Sequence, residues 1–295
     1  HPATAGYFLR DEPSADDFAE LGAWAARIRA TDDAHYCYLN LFPNYAPCET
    51  LKTDSYREYV NRFDREVPLQ LLSFDHYPVV GDTCRPEWYE NLEIFSDEAR
   101  KAGKPFWAFA LATAHEPYPI PDLAQLRLQV YSDLAYGAQG IQYFTYWTPE
   151  KNPTWDFHHA PVERSSGRRT DVYDKIKQMN AEIRALSGVF LGCEVVSVRH
   201  TGESIPRGTV RLTELPDGVK KLETTGAGAV VSELRNGNNR FIVIVNRDFK
   251  NPMTLQIELD ETASRILKDG SVVPASLYHE TMVVEPGDAM IYMLE

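Results

Sequence analysis

Two acidic motifs carry the chemistry open to this chain. Gly6-Tyr7-Phe8-Leu9-Arg10-Asp11-Glu12-Pro13 ends a short apolar run in an Asp-Glu-Pro, and Ala114-His115-Glu116-Pro117 follows a second such run. Paired carboxyl groups flanking a glycosidic bond can break it: one protonates the leaving oxygen while the other attacks the anomeric carbon or activates water. Glu12 is the candidate acid, since burial or the negative charge of Asp11 would hold its proton at neutral pH. Glu116 is the candidate nucleophile. Asp75, in Asp75-His76-Tyr77 directly after a third apolar run, is the reserve for that role, and His76 or Tyr77 would steady the nucleophile by a hydrogen bond. Each motif also has a purely structural reading. Asp-Glu-Pro caps the helix that follows it, Glu116 is a solvated loop residue before Pro117, and Asp75-His76-Tyr77 is a polar turn before Pro78.

Around these lie groups suited to a sugar. Asp11, Asn40 and His115 offer hydrogen bonds to hydroxyl groups. Phe42, Tyr45, Tyr118, Tyr143, Tyr146, Trp147 and Trp155 offer rings for apolar C–H faces, though rings near strand ends also serve as ordinary core. Trp147 stands out because it ends its run beside polar Thr148. His158-His159 lacks a third ligand at useful spacing, so no metal is expected, and two-carboxylate chemistry needs no cofactor. Cys37, Cys48, Cys84 and Cys193 show no CxxC or Cys/His metal spacing. Cys37 and Cys193 read as buried thiols; Cys48 and Cys84 lie in loops, where a disulfide stays open.

These side chains need a scaffold to place them. Apolar runs at residues 6–10, 35–41, 69–74, 106–112 and 140–147 read as strands buried on both faces. Helical spacing fills the intervals, from Phe18, Leu21, Trp24, Ala25 and Ile28 through residues 55–66, 88–102 and 122–136 to a last helix near 170–187. Five successive βα units predict an α/β fold with a parallel sheet covered by helices. No GxGxxG or P-loop follows a strand, which argues against a nucleotide-binding sheet. Polar residues cluster instead just past the strand ends, where (β/α)8 barrels carry their chemistry. The expected architecture over residues 1–190 is therefore five βα units of such a barrel, with an open five-stranded sheet as the alternative. Over residues 191–295 the pattern changes to alternating runs at 195–198, 209–212, 229–234, 241–246, 254–259, 282–285 and 289–293. Turn signals such as Asn236-Gly237-Asn238 and Pro286-Gly287-Asp288 separate them, predicting an all-β antiparallel sandwich.

Composition narrows the partners. A net charge of −13 would repel phosphate backbones, so no nucleic acid is expected. No apolar stretch is long enough to predict a membrane span.

The quoted motifs resemble those of a known clan. Asp11-Glu12-Pro13 is similar to the Asn-Glu-Pro that carries the acid/base glutamate after strand four in the (β/α)8 glycoside hydrolases that include β-galactosidases and cellulases. Counting residues 6–10 as strand four makes 106–112 strand seven, after which the clan places its nucleophile; the resemblance so implies Glu116. It makes 140–147 strand eight, where a tryptophan often stacks on substrate, as Trp147 would. The His76-Tyr77 pair matches the polar support after strand six. Asp11 departs from the clan's asparagine, which contacts the sugar 2-hydroxyl, and Glu116 stands in a loop past its strand rather than at the tip. The run 241–246 and Pro286-Gly287-Asp288-Ala289-Met290-Ile291-Tyr292 resemble the β-sandwich that often follows glycosidase barrels. Ala135-Tyr136-Gly137-Ala138-Gln139-Gly140-Ile141-Gln142-Tyr143 resembles barrel hydrolases of gut Bacteroidetes.

What this resemblance implies is a retaining glycoside hydrolase of carbohydrate metabolism, needing no cofactor and acting in the periplasm or outside the cell. It also implies that barrel strands one to three are absent from this polypeptide. The expectation is a longer precursor cut before His1, whose N-terminal part stays associated as a partner. Two other functions compete: a non-catalytic carbohydrate-binding or scaffold protein with a degenerate barrel, and an interaction protein whose carboxylates are helix caps.

Overall fold

In the computed structural model, which describes residues 2–278 and 281–294, the apolar runs become parallel strands. They are β1 (Gly6–Asp11), β2 (Tyr36–Asn40), β3 (Leu72–Phe74), the small hairpin β4 (Val79–Val80) and β5 (Thr83–Cys84), β6 (Phe106–Leu111) and β7 (Gly140–Phe144). β1 pairs with β2, and β3, β6 and β7 pair in that order, all parallel. A parallel bridge from Leu41 to Phe74 continues the ladder from β2 to β3. Hence β1, β2, β3, β6 and β7 stand side by side in chain order.

Helices fill the intervals: α1 (Phe18–Thr31), α2 (Cys48–Leu51), α3 (Tyr56–Glu66), α4 (Trp88–Ala102), α5 (Leu123–Ala135), α6 (Asp171–Ala185) and α7 (Ser187–Phe190). Their ends follow local chemistry. The Ser55 side chain accepts from the Glu58 N–H at the start of α3. Asp122 and Gln125 form a reciprocal capping box on α5. Gly103, at φ +65, stops α4. α3 buries Tyr56, Tyr59, Val60 and Phe63, one stripe at helical spacing.

Burial differs between the two faces of the parallel strands. Leu9, Cys37, Leu39, Leu72, Phe74, Phe106 and Ala108 point under the helices and join Phe18, Phe63 and Phe95 in one core. On the other face Phe8 is 61% and Tyr36 47% exposed. Tyr38 and Trp107 pack beside them in a row of ring contacts. The expectation of strands buried on both faces therefore holds for one face only: both faces are apolar or aromatic, and the helices of this chain cover just one.

The C-terminal strands are β8 (Glu194–His200), β9 (Val219–Thr224), β10 (Ala229–Asn236), β11 (Asn239–Asn246), β12 (Met253–Leu259), β13 (Ser264–Ile266), β14 (Val272–Pro274), β15 (Met282–Val284) and β16 (Ala289–Leu294). They form antiparallel sheets of order β14-β13-β16-β11-β10-β8 and β15-β12-β9. Val231, Ile242, Ile244 and Tyr292 of the first share a hydrophobic cluster with Val219, Leu255 and Ile257 of the second. The run at 209–212 is not a strand. The Thr209 N–H turns back to the Pro206 carbonyl and only Arg211 bridges to His200, because Pro206 and Gly208 hold the segment in a turn. β9, β13 and β14 lack a clean alternation that would have announced them. All four cysteines are free; Cys84 lies in β5, and Cys193 is partly exposed rather than buried.

α5 is buried nearly all round because it lies between the parallel strands and the C-terminal sheet. Ser232 on β10 donates to the Ala135 carbonyl at 2.7 Å. Arg127 pairs with Glu182 at 2.7 Å and approaches Asp288 at 3.5 Å, while the Tyr131 hydroxyl donates to Glu182. The tightest contact is at Gly287, where φ is +67 and an added Cβ would meet the Ala124 carbonyl oxygen at 2.1 Å. Gly287→Ala is expected to cost about 1–3 kcal/mol of stability. Calorimetry should show a lowered melting temperature; an unchanged one would mean that the turn is not held against α5.

Candidate active site

β1, β2 and β3 end side by side, and their ladder runs on past the ends. The Glu12 N–H donates to the Asn40 carbonyl and the Leu41 N–H to the Ser73 carbonyl, each at 2.9 Å. Asp11 lies opposite Asn40, and Asp75 directly follows β3. Glu12 adopts φ 44, the left-handed region that non-glycine residues seldom occupy. The buried Tyr59 of α3 ties this turn down, its hydroxyl donating to the Pro13 carbonyl at 2.6 Å.

A chain of hydrogen bonds orders the row. Gln142 of β7 donates to the Ser73 hydroxyl at 3.1 Å, with the Tyr38 hydroxyl 2.9 Å from the same oxygen. Ser73 in turn donates to Asn40 Oδ1 at 3.2 Å. That leaves the Asn40 amide to face the carboxylates, reaching Asp75 at 2.7 Å and Asp11 at 3.4 Å. The neighbouring Tyr77 hydroxyl also favours the Asp75 anion.

The Glu12 and Asp75 carboxyls stand close enough that the Asp75 charge acts on Glu12. Burial, then the charges of Asp75 and Asp11, push the Glu12 carboxyl up to about 8. Burial also raises Asp75, to about 6, but the Asn40 amide and the Tyr77 hydroxyl oppose it. At neutral pH the pair therefore holds one proton, and it sits on Glu12. One group is a neutral acid and its neighbour an oriented anion, which is the division of labour that bond cleavage by two carboxyls requires.

The remaining sequence candidates lie around this pair or away from it. Glu116 is exposed, in a turn closed by hydrogen bonds between His115 and Tyr118. Among the described residues no hydrogen bond or ion pair joins its side chain to Glu12 or Asp75. β6 ends at Leu111, and the buried residues 112–115 separate it from Glu116. The described contacts thus join the reserve candidate, Asp75, and not Glu116, to the row that holds Glu12. His76 does not support Asp75 either. It is buried against the Tyr45 ring with no hydrogen-bond partner on either nitrogen among the described residues, and burial lowers it to about 3. His115 Nδ1 donates locally to the Thr113 carbonyl, and the ring packs against Tyr118, Trp155 and Phe157. Trp147 lies beyond β7, bridged to Val162, and forms an exposed edge-to-face pair with Tyr146.

Two residues passed over in the sequence matter here. Ser73 alternates with Asp75 on one strand face, a period-two signal that was there to be read. Arg85 gave none, because only the β4–β5 hairpin folds it back to place its guanidinium 4.4 Å over the Tyr45 ring.

Two cavities of about 580 and 800 Å³ lie elsewhere, by His158 and His159 and between Tyr143, Tyr146 and α6. The carboxyl pair borders neither, since it stands at the end of strands whose inner face is uncovered. Among the described residues no cluster of His, Cys, Asp and Glu suits a metal, and no helix is long and apolar enough to cross a membrane.

Residues 35–186 match the Glyco_hydro_42 family model, described as beta-galactosidase. No curated protein matches the chain. Among solved structures, a catalytic mutant of Gan42B, a GH42 beta-galactosidase from G. stearothermophilus, aligns at 8% identity with a TM-score of 0.53, covering 90% of this chain and 64% of that one. A polyextremophilic beta-galactosidase from the Antarctic haloarchaeon Halorubrum lacusprofundi aligns at 17% identity and TM-score 0.46, covering 59% of this chain and 27% of that one. The beta-galactosidase of the psychrophilic Marinomonas ef1 aligns at 14% and 0.44, with the same coverages. This chain thus spans about a quarter of the length of the last two and under two thirds of the first. At such identity the likeness to Gan42B is one of fold, an α/β fold of the TIM-barrel glycosidase kind.

The Glu12 proton has a thermodynamic signature. Its folded pKa lies above the ordinary 4.5, so the folded state binds the extra proton, and stability falls as pH rises from about 4.5 to about 8. Glu12→Gln should flatten this fall. Melting temperatures taken from pH 5 to 9 check it; equal slopes in parent and variant would mean that Glu12 does not hold the proton.

Proposed function

This chain belongs to the glycoside hydrolase 42 family, described as beta-galactosidases, and on that premise we propose that it is a retaining glycosidase with Glu12 as acid/base and Asp75 as nucleophile. The observation that carries the assignment is that Glu12 and Asp75 flank Asn40 at neighbouring strand ends, the Asn40 amide donating to Asp75 at 2.7 Å while burial and the Asp75 charge favour the acid form of Glu12. Glu12 would protonate the departing oxygen while Asp75 attacks the anomeric carbon. Water, deprotonated by Glu12, would then release the sugar from Asp75. Retaining chemistry needs the carboxyls about 5–5.5 Å apart. Asn40 and Tyr77 would hold Asp75 in place as Glu12 turns to the leaving oxygen. Asp11 and Asn40 are placed to bond hydroxyl groups, and the family description makes a β-galactoside the first substrate to try.

The reading extends to architecture. Residues 1–190 would be the catalytic part of a (β/α)8 barrel and residues 191–295 a β-sandwich. The uncovered face with Phe8 and Tyr36 supports further parallel strands beside β1. An N-terminal part of a longer precursor would supply them.

The test is hydrolysis of aryl β-galactosides and related aryl glycosides by the chain and three variants. Glu12→Gln and Asp75→Asn should each lower kcat by about 10²–10⁴-fold, with Glu116→Gln close to the parent and the first-formed sugar retaining its anomeric configuration by NMR. Activity surviving in Asp75→Asn but lost in Glu116→Gln would return the nucleophile to Glu116. Sugar binding without turnover in the parent would favour a non-catalytic carbohydrate-binding protein.

A further inference from the structure

We infer that Arg85 makes this site selective for a glycoside carrying an acidic group, a uronic acid whose carboxylate pairs with the guanidinium. The inference rests on Glu12 and Asp75 marking the point of cleavage. Arg85 directly follows β5, and its N–H donates to the Pro78 carbonyl at 2.7 Å, so the hairpin folds back over the strand end that carries Asp75. The guanidinium lies 4.4 Å above the Tyr45 ring and 5.9 Å from the centre of the Tyr118 ring, and it donates to the Tyr118 hydroxyl at 3.2 Å. The Tyr45 ring lies 5.0 Å from that of His76 and the Tyr118 ring 5.9 Å from that of Tyr77, the two residues that directly follow Asp75. The two tyrosines therefore connect the cation to the strand end that carries Asp75.

Among the described residues Arg85 has no counter-charge, and unlike Arg247, whose guanidinium donates to the Thr201, Ser204 and Ala227 carbonyls, it meets a tyrosine hydroxyl alone in its side-chain hydrogen bonds. The chain holds 43 acidic and 30 basic residues, so acids outnumber bases, yet among the described residues no carboxylate pairs with Arg85. Its Nε is buried without a hydrogen-bond partner. Taking a guanidinium partly out of water without an anion is costly. Stacking on tyrosine offsets part of that cost, and a planar carboxylate would offset the rest through charge-assisted bonds that a neutral hydroxyl cannot match. The negative charges nearby belong to Asp75 and Asp11 at the strand ends, and the imidazole packed against Tyr45, His76, is buried and held neutral by that burial. The arrangement is a cation held rigid by two aromatic rings, next to the cleavage point, with its partner still to arrive.

Calorimetric binding of galacturonate and glucuronate, against galactose and glucose, tests this on the parent chain, Arg85→Gln and Arg85→Lys. The parent should bind a uronate at least about tenfold more tightly than its neutral counterpart. Arg85→Gln should erase that preference while leaving neutral sugar affinity in place, and Arg85→Lys should retain part of it. Aryl uronides and aryl glycosides should rank the same way in kcat/KM. A parent that binds the neutral sugar as well as the uronate, or binds no uronate, overturns the inference whatever the variants do, as does a preference that persists in Arg85→Gln. The two readings fail separately. Turnover of neutral glycosides without uronate preference removes only the role of Arg85. Uronate preference without turnover of any glycoside removes only the catalytic assignment.

Discussion

The parallel register of β1, β2 and β3 is the constraint on which the rest of the site depends. Side chains alternate across a strand, so a slip of one residue would exchange the two faces of a strand. Cys37, Leu39, Leu72 and Phe74 are held under the helices by burial in the core. Their neighbours Tyr38, Asn40, Ser73 and Asp75 then have to face the other way. The position of the carboxyl pair is thus paid for by apolar burial on the opposite face, far from any chemistry.

Within that frame, unequal hydrogen bonding decides which carboxyl is the acid. Both groups are desolvated, and both are raised for that reason. Asp75 has Asn40 as a donor, with the Tyr77 hydroxyl acting in the same direction, and Asn40 is oriented by Ser73, which is fixed by Gln142 and Tyr38. Glu12 has the negative charges of Asp75 and Asp11 beside it instead. Donors favour the anion and neighbouring anions favour the acid, so one proton settles on Glu12. The order reaches back through β2, β3 and β7, which makes the sheet part of the electrostatics.

The C-terminal sheets act on this region through α5. That helix is packed on one side by the parallel strands and on the other by β10 and β11. Arg127, Tyr131 and Glu182 tie α5 to α6, and Arg127 and Lys268 meet Asp288 in the turn before β16. These ion pairs and hydrogen bonds join α5 to α6 and to the turn before β16, so the C-terminal strands steady the scaffold while the site is built from the strand ends.

Much of the scaffold was legible in the sequence, because period and punctuation are local properties. The apolar runs lie within a few residues of the parallel strands, and the caps at Ser55, Asp122 and Gly103 end helices where their chemistry says they should. Asp11-Glu12-Pro13 and Asp75-His76-Tyr77 were readable as polar groups at strand ends. What the sequence could not fix was which of these groups meet. Glu116 follows a strand as Asp75 does, but it stands exposed in a turn past a buried segment, while the register of β3 carries Asp75 to the Asn40 amide beside Glu12. Arg85 looked like any arginine in a turn until a two-stranded hairpin set it over Tyr45. The run at 209–212 alternated like a strand and became a turn. The sequence alone determined which segments would be strands or helices and which residue types stood at their ends. Only the tertiary structure decided which carboxyls share a proton and which cation stands without an anion, because burial and charge act through space between residues that the chain itself keeps far apart.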